Sequence, residues 1–327
     1  MKGVVLAGGT GSRLFPLTKV TNKHLLPVGY APMIWHPVWK LKQAGLDEIA
    51  IVTGTEHMGD VVGCLGSGKD FGCRFTYKVQ DEAGGIAQAL ALVENFAAGS
   101  PLCVILGDNI FQDSLDTEVA AFRKQGQGAR IMLKPVEDPH RFGVAEVKDG
   151  KVVGIEEKPK APKSNLSVTG IYFYDGQVFD IIRRQKPSGR GEMEITDVNN
   201  AYIERGQMTF GTFQGWWSDA GTYPSLAHAN DLALKESMPF PGISRKISAS
   251  QPRSSTNLRN GVMTTTSMGP FWKSMLSSSG PQGRAPPPGW PIRWRAPGSG
   301  RCPRPSTSPG TCRSSALPGR CRHCSRR

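Results

Sequence analysis

Val4-Val5-Leu6-Ala7-Gly8-Gly9-Thr10-Gly11-Ser12-Arg13-Leu14, followed by Lys23-His24-Leu25-Leu26-Pro27, decides the reading of this chain. An apolar strand runs directly into a glycine-rich turn, and two cations follow it. Glycines let backbone N–H groups approach a polyphosphate closely, and Arg13 and Lys23 can neutralise charge that the backbone dipoles alone cannot. The dinucleotide fingerprint does not fit, because it needs a third glycine where Leu14 stands and an acidic residue about 20 positions on. A Walker A loop does not fit either, since no Gly-Lys-Ser/Thr triplet follows Gly11. On these residues alone, an ordinary tight turn after a first strand stays open as the alternative.

Composition divides the chain of 327 residues into two unlike parts. Residues 1–236 carry 25 Lys plus Arg and 27 Asp plus Glu, a net charge of 25 − 27 = −2. Residues 237–327 carry 15 Lys plus Arg and no acid, so the net charge of +13 comes from this tail. The first part therefore reads as a slightly acidic globular domain of ample size for a core, and nucleic acid is not an expected partner for it. Cys64, Cys73 and Cys103 stand singly without metal spacing and read as small buried hydrophobes of a reducing compartment. Met1-Lys2 leads straight into a short apolar strand, not a signal peptide, and no apolar run reaches transmembrane length. A cytoplasmic location away from the membrane is expected.

Apolar, β-rich runs at 3–7, 49–53, 73–79, 102–107 and 129–134 alternate with helical patterns at 32–44, 57–65, 86–96 and 115–125. This order predicts a doubly wound, mostly parallel α/β sheet with ligands outside the carboxyl ends of its strands. From residue 135 the pattern changes. A hairpin is predicted over 144–156 with Asp149-Gly150 at its turn, then a strand at 168–174, helices at 176–185 and 195–205, a strand at 208–213 and a last helix at 222–235. This second half is expected to extend the sheet and cover a substrate pocket.

Leu102-Cys103-Val104-Ile105-Leu106-Gly107-Asp108-Asn109 places a carboxylate where a hydrophobic strand ends. Mg²⁺ takes hard oxygen ligands, commonly one or two protein carboxylates plus phosphate oxygens, and Asp108 suits that role. Asp219, after two tryptophans and before Ala220-Gly221-Thr222, is a second acid in a similar setting and a candidate partner for a metal pair. Capping of a following turn or helix is the competing use of either residue.

At this point the chain resembles the sugar-1-phosphate nucleotidylyltransferases, and among them the glucose-1-phosphate thymidylyltransferases. The likeness rests on Gly8–Leu14, Pro16-Leu17-Thr18, Lys23–Val28 and Pro32-Met33-Ile34, then on Tyr77–Gln80, Gly85–Ala89, Leu106–Asn109, Phe142–Val144, Glu156–Pro159, Val168–Tyr174 and Gly191–Asp197. These motifs arrive in one collinear set over about residues 1–235. Ala31 departs from the lysine many relatives carry there, and Trp35-His36 from the usual aromatic pair.

The resemblance implies a Rossmann-like sheet of the nucleotidyltransferase type with an inserted sugar-binding subregion. It implies transfer of a thymidylyl group from dTTP to glucose 1-phosphate with release of pyrophosphate. Arg13 and Lys23 are the implied catalytic cations, and Asp108 and Asp219 the implied Mg²⁺ ligands. Leu6, Gly8, Gly9, Gly11, Gln80, Gly85 and Asp108 would contact the nucleotide, with the Gln80 amide offering donor and acceptor to a pyrimidine edge. Gly143, Glu157, Lys158, Val168 and Arg190 would contact the sugar phosphate. A homo-oligomer is expected. A UTP-using or other sugar-1-phosphate enzyme, and a non-catalytic sugar-nucleotide-binding regulator, are the alternatives.

The likeness stops at the tail, which holds 14 of the 25 prolines, 17 serines and ten glycines. Such a segment buries too little apolar surface to offset its ordering entropy, so a disordered tail is expected. The absence of acids, starting where the likeness ends, suggests frameshifted or read-through translation. Arginines beside Trp290 and Trp294 offer an RNA-binding alternative, and Cys321-Arg-His-Cys324 is half a metal site at most.

Overall fold

A computed structural model describes residues 1–236 and Phe240, and the expectations for the rest of the tail lie outside the described residues. The first half comprises β1 (Lys2–Ala7), β2 (Pro27–Val28), β3 (Ala31–Pro32), α1 (Trp35–Gln43), β4 (Glu48–Gly54), α2 (Met58–Leu65), β5 (Arg74–Gln80), α3 (Ile86–Ala91), α4 (Glu94–Ala97), β6 (Leu102–Leu106), β7 (Asn109–Phe111) and α5 (Asp116–Gln125). The second comprises β8 (Ala129–Pro135), β9 (Gly143–Lys148), β10 (Lys151–Glu157), β11 (Leu166–Tyr174), α6 (Val178–Arg184), α7 (Ile195–Glu204), β12 (Met208–Thr212), β13 (Trp217–Asp219) and α8 (Tyr223–Lys235).

β6, β1, β4 and β5 lie side by side and parallel, the doubly wound core that the alternating pattern requires. From β1 the chain crosses to β4 on one side and later to β6 on the other. The glycine loop thus leaves the sheet at its topological switch point, where crevices open. The second half joins the same sheet through β11, antiparallel to β6, β8 and β9, with the β9–β10 hairpin at one edge. Alternate β1 residues feed cores on opposite faces, Val4 and Leu6 into one and Val5 and Ala7 into the other. Each fully buried Val or Leu contributes about 1.5–3 kcal/mol. That two-sided burial explains the unbroken apolar run.

Two differences from the sequence expectations have local causes. α1 begins at Trp35 rather than Pro32, because Pro32 pairs with Pro27 in the β2–β3 hairpin. The helix expected over 86–96 breaks between α3 and α4, where Val93 N–H donates to Leu90 O; this tighter turn buries both side chains. Phe240 is buried edge-on against Trp35 and His36. Helix α8 starts with a capping box: Thr222 Oγ1 accepts from Ser225 N–H and Ser225 Oγ from Thr222 N–H.

Candidate active site

Three parallel strands end together and build the floor of one cavity. Gly8 follows β1, Gly54 closes β4 and Gln80 closes β5, and all three line a cleft with Gly9, Thr10 and Asn22. Glycine lets neighbouring side chains approach the loop closely here. A Cβ on Gly8 would stand 2.5 Å from Gln80 Oε1, and one on Gly9 would stand 3.2 Å from Lys23 Cε. Gly11 has φ +67°, a left-handed conformation, and its carbonyl accepts from Thr18 Oγ1. The loop is therefore folded tightly against the Lys23 stem.

Lys23 Nζ donates to Asp108 Oδ2 at 2.6 Å, with the two side chains 12% and 15% exposed. Burial alone would raise the Asp108 carboxyl, but Lys23 and its neighbours override this and hold it well below the usual carboxylate range. His24, next to Lys23, is buried with Nδ1 2.7 Å from Asn22 Oδ1; burial and the Lys23 charge push its imidazole down to about 3. His24 is thus a neutral structural group at ordinary pH.

Asp219 arrives from the far end of the chain by a pairing the sequence did not reveal. β13 lies antiparallel to β7 with Asp219 opposite Asn109, and Ala220 N–H donates to Asp108 O at 2.8 Å. The two aspartates and Arg13 close around Gly221. A Cβ there would lie 3.2 Å from Arg13 Nη2, 3.3 Å from Asp219 Oδ2 and 3.5 Å from Asp108 Oδ2. Two carboxylates converging beside this glycine fit a Mg²⁺ ion completed by phosphate oxygens. Ser225 Oγ, from the first turn of α8, also donates to Asp219 Oδ2 at 3.2 Å.

A second cavity opens beyond this cluster. Arg13, Asp108, Gly143, Glu157, Lys158, Val168 and Asp219 all line it. Glu157 is aimed by Thr196, whose hydroxyl donates to Oε2 at 2.8 Å, and Lys158 Nζ lies 3.2 Å from Glu157 Oε1. Lys158 takes φ +46°, rare for a residue with a side chain. Arg190 stands apart. It is bound to Glu194 at 2.8 Å, reaches Glu157 only at 3.8 Å and does not line the cavity. Leu6 lies beneath the loop, its carbonyl accepting from Gly107 N–H, and Gly85 caps α3 with φ +97°.

Some residues of this site were given no role from the sequence. Arg141 Nη2 lies 3.2 Å from both carboxylate oxygens of Asp219, its guanidinium over the Phe142 ring. Asn109 donates to Asp108 Oδ1 and accepts from Trp217 Nε1 and Gly170 N–H, locking the β7–β13 pair to β11. Arg141 immediately precedes the quoted Phe142–Val144 segment, and that adjacency was the available hint.

A family model for nucleotidyl transferases matches residues 2–236. The chain belongs to this family. A glucose-1-phosphate thymidylyltransferase of Neisseria meningitidis is 42% identical over 233 residues, covering 70% of this chain and 81% of the relative. One from Xanthomonas campestris is 43% identical over 232 residues, 70% of this chain and 79% of the relative. A crystal structure of a Bacillus anthracis protein in complex with sucrose superposes with TM-score 0.71 at 58% identity. It covers 73% of this transferase and 97% of that chain. A UDP-glucose pyrophosphorylase bound to UDP-glucose is more remote, at 25% identity, TM-score 0.64 and coverage of 72% and 98%. No helix of the described residues in the transferase is long and apolar enough to cross a membrane.

Proposed function

We propose that this transferase moves a thymidylyl group from dTTP to glucose 1-phosphate, giving dTDP-glucose and pyrophosphate. The observation that carries the proposal is the convergence of Arg13, Asp108 and Asp219 on Gly221, with Lys23 clamped to Asp108. The names of the relatives supply the substrates.

A sugar-phosphate oxygen attacks the α-phosphorus in line, and the bond from that phosphorus to the bridging oxygen of the β-phosphate breaks. Protein groups make no covalent bond, so positioning and charge stabilisation provide the catalysis. Arg13 and Lys23 bear on the leaving pyrophosphate and the reacting α-phosphate. Asp108 and Asp219 would hold Mg²⁺, which when bound supplies neutralisation of phosphate charge. Glu157 accepts hydrogen bonds from sugar hydroxyls, and Lys158 pairs with the sugar phosphate, joined by Arg190 if it releases Glu194. The free thiols Cys64, Cys73 and Cys103 suit a reducing, cytoplasmic setting.

Pyrophosphate release with glucose 1-phosphate, measured across dTTP, UTP, CTP, ATP and GTP, tests the proposal. Fastest release with dTTP is expected. Preference for UTP would make this a uridylyltransferase, and release with none of them would leave a sugar-nucleotide-binding protein.

A further inference from the structure

Gln80 sits at the end of β5, only 8% exposed, and lines the cavity beside the glycine loop. Its amide is not free to choose which end faces that cavity. Nε2 donates to Gly85 O at 3.1 Å and to Gln88 Oε1 at 2.7 Å. The polarity of both contacts is fixed by backbone groups. A carbonyl such as Gly85 O can only accept. Gly84 N–H can only donate, and it is shared between Glu82 O at 2.8 Å and the same Gln88 Oε1 at 3.1 Å. Gly85 O and Gly84 N–H together set the pair with nitrogen on Gln80 and oxygen on Gln88. This leaves Gln80 Oε1 on the Gly8 side, where no donor of the described residues reaches it. The cluster is closely packed, since a Cβ on Gly84 would run into the Gln88 amide.

We infer that Gln88, one turn into α3, is a positioning residue for nucleotide choice: it locks the Gln80 amide so that only a carbonyl oxygen faces the base. The inference rests on the proposed reading of this cavity as the nucleotide site. It sharpens the sequence expectation, because the Gln80 donor is spent inside the protein and only its acceptor remains for the base. A pyrimidine with a hydrogen on N3, thymine or uracil, can donate to that oxygen. Cytosine turns a bare N3 lone pair toward it, so lone pair meets lone pair. Selection against cytosine then follows from a residue that need not touch the base.

The test compares wild type, Gln88→Met, Gln88→Asn and Gln88→Glu, measuring calorimetric dissociation constants for dTTP and dCTP. Wild type should prefer dTTP by about 10- to 100-fold, the range for one hydrogen bond made against one acceptor left opposed. Gln88→Met keeps the side-chain length but removes the acceptor, and should lower that preference about tenfold. Gln88→Glu accepts from both Gln80 Nε2 and Gly84 N–H, and should keep it. Should Gln88→Met fail to fold, Gln88→Asn, drawn back by one methylene, should show the same loss. The inference is overturned if wild type binds dTTP and dCTP alike. It is also overturned if a folded Met or Asn variant keeps the wild-type ratio, if both nucleotides weaken equally, or if Gln88→Glu loses the preference too. A protein that releases no pyrophosphate but still prefers dTTP in calorimetry sinks the catalytic proposal and leaves this inference standing.

Discussion

Lys23 Nζ and Asp108 Oδ2 lie 2.6 Å apart, joining the glycine loop of β1 to the carboxyl end of β6 across 85 residues of chain. The pair is mostly hidden from water, so the attraction within it is weakly screened. Asp108→Asn leaves the shape intact but deletes a proposed metal ligand and the counter-charge of Lys23. Lys23→Met deletes the cation. Each should reduce turnover by roughly 10²–10³-fold, the scale for losing one charge-stabilising group. Circular dichroism should show the fold retained. Turnover within a few-fold of the parent protein would remove the pair from the catalytic machinery.

His36 gives a pH prediction outside the site. Its Nε2–H donates to Val28 O while Nδ1 is buried without a partner among the described residues; burial, aided by the Lys40 charge, pushes the imidazole down from 6.5 to about 4. Between those values the unfolded chain binds a proton and the folded chain does not. Stability is therefore fully present above pH 6.5 and declines as pH falls toward about 4; His24 acts with the same sign down to about 3. His36→Phe should flatten urea-derived stability against pH in that window by up to one proton, about 1.4 kcal/mol per pH unit. An unchanged slope would mean that His36 is not buried neutral.

The sequence made the parallel core legible because β1, β4, β5 and β6 are buried on both faces, and such strands read as unbroken apolar runs. The glycine loop was legible because its conformation and close contacts restrict its residue choice. What stayed hidden depends on pairing over long chain separations. Nothing in Asn109-Ile110-Phe111 or Trp217-Ser218-Asp219 marks them as partners, since three-residue strands show no period, yet their pairing brings the two aspartates together. The Arg141–Asp219 pair was hidden for the same reason, and the polarity of Gln80 because it depends on a neighbour in α3. Pro32 looked like a helix start because proline suits a first helical turn equally well.

Gly221 tests that convergence directly. A methyl group there would enter the space between Arg13, Asp108 and Asp219 at 3.2–3.5 Å from their polar atoms. The backbone of Gly221 does not have a left-handed φ, so Gly221→Ala should fold with normal cooperativity. Mn²⁺ binding, followed by electron paramagnetic resonance with dTTP present, should weaken by about tenfold, near 1.4 kcal/mol. Metal affinity equal to the parent's would show that the carboxylates do not share this space.

Lys158 separates stability from function. Its φ of +46° places a side-chain-bearing residue in the left-handed region, at the end of the β9–β10 hairpin and within the second cavity. Its N–H donates to Phe142 O, which continues the β9–β10 pairing past Gly143 and Glu157. A residue so placed costs of order 1–3 kcal/mol, and glycine recovers part of this while adding its own entropy loss on folding. Lys158→Gly should therefore be more stable than the parent by about 1 kcal/mol in urea unfolding. The same change removes the ammonium proposed to pair with the sugar phosphate, so the KM for glucose 1-phosphate should rise by about tenfold or more while that for the nucleotide stays near its parent value. A gain in stability with that KM unchanged would assign the strain to the turn alone, and a loss of stability would show that the left-handed conformation is held without cost.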